Sequence, residues 1–188
     1  MRKIMAFEQV SLDGFFVDAK GDMSWAHKQD AEWTAFTAGN ASGNGALLFG
    51  RKTYDMMAGF WPSPMAMQAM PEVAEGMNRL TKFVVSRTLE SASWRNTTVI
   101  KGDLVTSIGE LKKSDGPDLV ILGSGSIVSQ LSAAGLIDEF QIIVNPLVLG
   151  QGRTLFEGVR EKLPLKLIKT RAFSNGNVIL YYESQAQR

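Results

Sequence analysis

The chain has 188 residues, 20 basic and 19 acidic, with a net charge of +1 at pH 7 and a hydrophobic fraction of 45%. That is enough apolar content for one core of single-domain size, and too little net charge to draw the protein to nucleic acid or anionic lipid. There is no cysteine and one histidine, His27, which excludes disulfides, thiolate metal sites, cysteine nucleophiles and any multi-histidine metal site.

No apolar run reaches the roughly 18 residues of a membrane span, and the opening MRKIMAFEQV reads as a first strand rather than a signal peptide, so a cytoplasmic location is expected. That first strand covers 3–10 and runs into Ser11-Leu-Asp13-Gly14. Helical spacing follows at 28–39, with Trp25 and Asp30 just before and at its start; His27 reads as an exposed loop residue. A strand at 46–49 leads into a helix at 51–58, and 58–71, with three prolines, reads as the one irregular loop before a helix at 71–79. Strands at 82–86 and 97–100, a helix at 103–113 capped by Asp103, a strand at 119–122 and a helix at 124–134 complete an alternating series. The chain ends with strands at 139–146, 165–173 and 178–183, the last two joined by the Asn-Gly hairpin signal of Ser174–Asn177. The expectation is one α/β domain over 1–188, its sheet parallel first and antiparallel at its carboxyl end.

Three strand ends carry candidate ligand chemistry. Leu119–Leu122 runs into Gly123-Ser124-Gly125-Ser126-Ile127 and a helix, an arrangement that aims backbone N–H groups and a partial positive charge at an anion; a tight turn using glycine only for packing accounts for the pattern equally well. Ala46–Phe49 ends in Gly50-Arg51-Lys52-Thr53, where two cations at a helix amino terminus ask for an anionic partner, unless they are a solvated surface pair. Phe83–Ser86 ends in Ser86-Arg87. Three such ends on one edge of an α/β sheet form a ligand crevice. Asp13 and Asp30 are candidate proton donors, with a turn residue and a first-turn surface carboxylate as the plainer readings. Trp61, beside Phe60, is a candidate substrate wall, and the methionines between Met56 and Met77 read as adaptable packing.

In order, Ser11-Leu-Asp-Gly14, Gly50-Arg-Lys-Thr-Tyr54, Val85-Ser-Arg87, Gly123-Ser-Gly125, Leu136-Ile-Asp-Glu139 and Asn145–Gly152 with Leu155-Phe156 resemble the dihydrofolate-reductase-like superfamily. The closer likeness is to its branch built on the RibD carboxyl-terminal, riboflavin-pathway reductase domain. The resemblance implies a mixed, mainly parallel sheet of about eight strands with flanking helices. It also implies NADPH across the strand ends and a homodimer. Carried onto this chain, Gly50, Arg51, Lys52 and Thr53 meet the adenosine-side phosphates, Ser86 borders the adenine and Arg87 the 2′-phosphate. Gly123, Ser124 and Gly125 lie under the pyrophosphate, with Ser126 and Ile127 opening the helix. The Trp25-to-Asp30 spacing resembles the tryptophan and catalytic carboxylate of those enzymes. Where riboflavin-pathway reductases carry a lysine before the serine motif this chain has Phe7, and where they carry a glutamate before the glycine turn it has Leu122. The function implied is NADPH-dependent reduction of a small nitrogen heterocycle of pyrimidine or pteridine type. The alternatives are dihydrofolate reduction, a non-catalytic NADP-binding sensor, and a flavin protein using the same crevice.

Overall fold

The computed structural model describes residues 1–26 and 30–185, so the reading of His27 lies outside the described residues. The first strand, β1 (Ile4–Ser11), alternates faces along its length, and its inward positions are Ile4, Ala6, Glu8 and Val10. Then come β2 (Phe15–Asp18), a 3-10 turn (Ser24–Ala26), α1 (Ala31–Ala41), β3 (Ala46–Gly50), α2 (Arg51–Phe60), α3 (Pro64–Ala69) and α4 (Pro71–Arg79). The second half holds β4 (Lys82–Val85), β5 (Thr97–Ile100), α5 (Leu104–Lys113), β6 (Leu119–Leu122), α6 (Gly125–Ala133), β7 (Glu139–Asn145), β8 (Gly152–Thr154), β9 (Leu165–Ala172) and β10 (Val178–Ser184). No helix of the described residues is long and apolar enough to cross a membrane.

Eight strands form one sheet in the order β5-β4-β3-β6-β1-β7-β10-β9. Pairings from β5 through β7 are parallel, and β10 runs antiparallel to both β7 and β9. The expected mixed sheet is therefore present, with β10 alone reversed. The carboxyl ends of β4, β3, β6, β1 and β7 lie along one edge, so Ser86, Gly50, Gly123, Ser11 and Asn145 share it. One face of the sheet packs Ile4, Ala6, Ile121, Phe140 and Ile142 against Ile108 of α5 and Ile127, Val128 and Leu131 of α6. The other packs Leu47, Phe49 and Val84 against Tyr54, Val73, Met77 and Trp94. Trp33 of α1 joins Ile143, Phe173 and Ile179 in a third cluster.

One expectation is corrected, and one pairing is added to those expected. The 58–71 segment is not an irregular loop: α2 continues to Phe60, and α3 and α4 follow with Pro64 and Pro71 in their first turns. Proline breaks a helix interior but suits the first position, where no N–H is needed, and Ser63 caps α3 by accepting from the Ala66 N–H at 3.2 Å. Second, β2 and β8 pair as a separate antiparallel ribbon; both are short, and their partner lies far away in sequence. The Asp103 cap is in place, accepting from the Thr106 N–H at 2.9 Å.

At the start of β4, Lys82 is wholly buried. Its ammonium donates to the carbonyls of Met77 (2.9 Å), Asn78 (3.3 Å) and Leu80 (2.5 Å), at the carboxyl end of α4, and lies 4.5 Å from the Trp94 ring centroid. Such carbonyls have no partner within their own helix and favour a cation. Burial, with Arg95 adding to it, lowers the lysine pKa from 10.5 to about 8. Between those two values the unfolded chain holds a proton that the folded one has released, so this group makes stability rise with pH there. Lys82→Met is expected to lose about 1–3 kcal/mol at neutral pH by urea denaturation, because the carbonyls lose their donor, and to lack that alkaline rise.

Candidate functional site

Since β3 and β6 are adjacent and in register (Leu48 opposite Ile121), their terminal glycines emerge side by side. Gly123 has φ +67°, a backbone state that favours glycine. Gly50 is extended, and a Cβ on it would reach within 3.4 Å of Ile127. Two side chains tie the turns together. The Gly50 N–H donates to Ser124 Oγ at 2.9 Å, and Thr53 Oγ1 donates to the Gly123 carbonyl at 2.9 Å. Ser124, Thr53 and buried Ile127 thus form the frame of the site. Ser124 is the N-cap residue of α6 but makes no side-chain cap, because its hydroxyl is turned to Gly50; Gly50 has no side chain with which to cap α2. Two uncapped helix amino termini therefore open next to each other, neither with an acidic residue in its first turn. Such a place suits an anion.

Around it, Arg51 and Lys52 begin α2, and Ser126 is exposed on α6. Arg51 Nε donates to both Asp55 oxygens, at 2.9 and 2.7 Å, so part of its charge is already balanced within the helix. Ser86 is buried, and its hydroxyl accepts from the N–H groups of Thr88 (3.3 Å) and Leu89 (3.1 Å), closing a turn that leaves Arg87 exposed beside the same edge.

Asp13 is held in a clasp. It accepts from Ser11 Oγ at 2.6 Å, Leu149 N at 3.1 Å and Gly150 N at 2.8 Å, joining the β1–β2 turn to the 147–150 loop. The Ser11 hydroxyl and these N–H groups lower its pKa, which makes it a fastened anion rather than a proton donor. Asp30 differs. One oxygen caps α1 by accepting from the Trp33 N–H at 2.7 Å, and the other is buried with no hydrogen-bond partner among the described residues. Glu32, two residues on in the first turn, fixes that helix end to the β9–β10 hairpin through Arg171 (2.8 Å) and the N–H and hydroxyl of Ser174 (2.9 and 3.0 Å). These partners, Arg171 first, hold the Glu32 pKa down at about 2.

Trp33 meets Phe173 and Phe36 at ring-centroid distances of 5.1 and 5.5 Å, and Phe36 meets Phe7 at 6.3 Å. This aromatic wall next to Asp30 stands where Trp61 was expected. Trp61 caps the far end of α2, about 15 Å along the helix from Gly50, where its indole N–H meets the Met57 sulfur at 3.0 Å and its carbonyl accepts from Asn78 at 2.9 Å. Its partners thus come from α2 itself and from α4, which is distant in sequence. Fully buried Asn145 and Asn177, on the sheet face that carries Phe7 and Ile143, also have amide atoms without a hydrogen-bond partner among the described residues.

One residue escaped the sequence reading. Glu8 is 1% exposed, and its carboxyl lies by the backbone N–H groups of Gly123 and Ser124 without completing a hydrogen bond of ordinary geometry to either. Burial pushes its pKa well up, opposed by those two N–H groups. The signal was available: a charged residue at an inward position of an alternating strand.

The RibD C-terminal domain model matches residues 2–179, so the chain belongs to the RibD C-terminal domain family, a riboflavin-pathway reductase family. The chain is 30% identical over 182 residues to the uncharacterized protein YyaP of Bacillus subtilis (strain 168), covering 96% of this chain and 94% of that one. Among solved structures it resembles a putative riboflavin biosynthesis protein from Shewanella sp. PV-4, with TM-score 0.73, 25% identity and coverage of 97% and 99%. It shares its fold with dihydrofolate reductase from Enterococcus faecalis complexed with NADP(H), at TM-score 0.65, 16% identity and coverage of 97% and 96%.

Ser124→Ala removes the acceptor of a part-buried N–H and is expected to cost about 1–3 kcal/mol of unfolding free energy. An unchanged urea midpoint would count against the cross-bond between the two turns.

Proposed function

We propose that this protein is an NADPH-dependent reductase of a small, flat nitrogen heterocycle of pyrimidine or pteridine type. The observation that carries the reading is the pair of uncapped, acid-free helix amino termini bonded together at Gly50 and Ser124. The N–H groups opening α2 and α6 would hold the phosphates, with Ser126 beside them, while Gly50, Thr53, Gly123, Ser124, Gly125 and Ile127 shape the cradle. Arg51, Lys52 and Arg87 add the positive charge that favours a 2′-phosphate and hence NADPH over NADH. Support comes from family membership and from the shared fold of the Enterococcus faecalis dihydrofolate reductase complexed with NADP(H).

When bound, NADPH supplies a hydride, and the chain's own groups orient the substrate and manage its proton. Trp33 and Phe173 are buried and Arg171 lies over Phe36 and Phe173, so this cluster excludes water as a packed floor, and half-buried Phe7 and Phe36 are the rings that would border a planar substrate. Asp30, whose second oxygen is buried and unpartnered, is the group assigned to hold a ring nitrogen and relay a proton to it. Asp13, fully engaged in its clasp, is left out of the chemistry. Phe7 and Leu122 stand in place of the lysine and glutamate of riboflavin-pathway reductases, which points to a substrate other than their ribosyl phosphate. A homodimer belongs to the same reading, with the exposed edge strand β9 and its Leu167 and Ile168, each about half exposed, as the surface a second copy would cover.

Asp30→Asn is expected to slow NADPH oxidation with a turned-over pteridine or pyrimidine by well over tenfold, with little change in NADPH affinity. An unaffected rate removes Asp30 from the mechanism. Arg51→Ala is expected to weaken NADPH by about five- to tenfold in a fluorescence titration, and unchanged affinity would exclude the phosphate assignment at Gly50–Thr53. Tight NADPH binding with no oxidation of any such heterocycle would favour a sensor on the same scaffold.

A further inference from the structure

Glu8 has no part in the mechanism above, yet among the described residues it is the one buried carboxylate, and it lies directly beneath the glycine turn. At 1% exposure it lies on β1 next to Phe7, which pairs with Leu122, so its carboxyl falls under the first residues past the end of β6. Both oxygens lack a completed hydrogen bond, and the groups acting on them are the N–H groups of Gly123 and Ser124. Ser124 is the N-cap residue of the nine-residue α6, so this side chain is aimed into the uncapped helix end from inside the protein.

Among the described residues no cation offsets it. The charged residues on the elements packed around it are Asp18 of β2, Glu139 of β7 and Arg153 of β8, while β6 and α6 carry none. None of those three acts on Glu8; only burial and the two N–H groups do. A carboxylate in such a place is costly to ionise. When it does ionise, it is an internal anion at the amino terminus of α6, where an external anion would bind.

We propose that Glu8 is a positioning residue of this turn and that its proton is coupled to anion binding there: the neutral carboxyl supports the turn in its receptive state, and the ionised carboxyl engages the same N–H groups and opposes the ligand. The proposal rests on the assignment of the NADPH phosphates to this turn. In linkage terms, NADPH binding above the point where free Glu8 ionises takes up a proton from solvent, and NADPH in turn makes Glu8 harder to ionise. The same group has a stability signature. Its ionisation is harder in the folded than in the unfolded chain, so its contribution is fully present below the unfolded value and is lost as pH rises through the folded one.

The carboxyl C=O stretch of Glu8, isolated as the infrared difference between wild type and Glu8→Gln, tests this across pH with and without NADPH. The expected result is a protonated-carboxyl band at neutral pH whose alkaline loss shifts upward by about one pH unit or more when NADPH is bound. In parallel, the NADPH dissociation constant of wild type should rise by up to about tenfold per pH unit above the ionisation point, a rise absent from Glu8→Gln. If Glu8→Gln does not fold, Glu8→Met, neutral and of similar length, replaces it in both measurements. Absence of the band at neutral pH overturns the proposal. So does a midpoint that bound NADPH leaves in place, or a pH profile of affinity shared by wild type and variant. A band that titrates in a protein binding no NADPH at any pH instead overturns the cofactor assignment, and the binding titration tells the two failures apart.

Discussion

The hydrogen bond from the Gly50 N–H to the Ser124 hydroxyl joins residues 74 positions apart, and the rest of the site depends on it. Its net value is modest, about 1 kcal/mol, but an unpaired buried N–H in its place would cost more. Its larger effect is on the helices. A serine at the start of a helix ordinarily turns its oxygen onto its own first N–H groups; here that oxygen is committed to the neighbouring turn, and Thr53 is committed in return to the Gly123 carbonyl. Neither α2 nor α6 is capped by its own side chain, while α1, α3 and α5 are. α4 is uncapped as well but carries Glu72 in its first turn, so the uncapped ends without an acidic residue there are the two at Gly50 and Ser124.

The central strand β1 serves both halves of the site because its side chains alternate between faces. Phe7 turns to the aromatic wall with Phe36, and Glu8 turns to the underside of the glycine turn. Glu32 and its hairpin partners then fix the start of α1, so the orphan oxygen of Asp30 is held by a network of hydrogen bonds rather than by a loop.

Much of the scaffold was legible from local patterns. The Asp103 cap, the helices beginning at Arg51 and Leu104, and the Asn-Gly hairpin, whose Gly176 has φ +88°, follow from chemistry within four or five residues of each position. The three strand ends on one edge were legible as well, since alternating strands and helices impose a parallel sheet. The short ribbon of β2 and β8 was not, nor was α3 behind Pro64, since three to six residues carry too little periodicity to outweigh a proline or a missing partner.

By itself, the sequence determined the fold class, the edge on which ligand chemistry collects and the identity of the residues there, because propensity, capping and glycine conformation act between near neighbours. Tertiary structure decided what each of those residues does. Ser124 and Thr53 bond one turn to the other, Ser86 closes the turn before Arg87, Asp13 clasps a loop 137 positions away, Trp61 packs beside Asn78, and Glu8 is the buried acid under the glycine turn. The physical reason is that a hydroxyl or carboxyl takes the partner that sheet order places within about 3 Å, and that order, with β6 set between β1 and β3, is written in no single stretch of the chain.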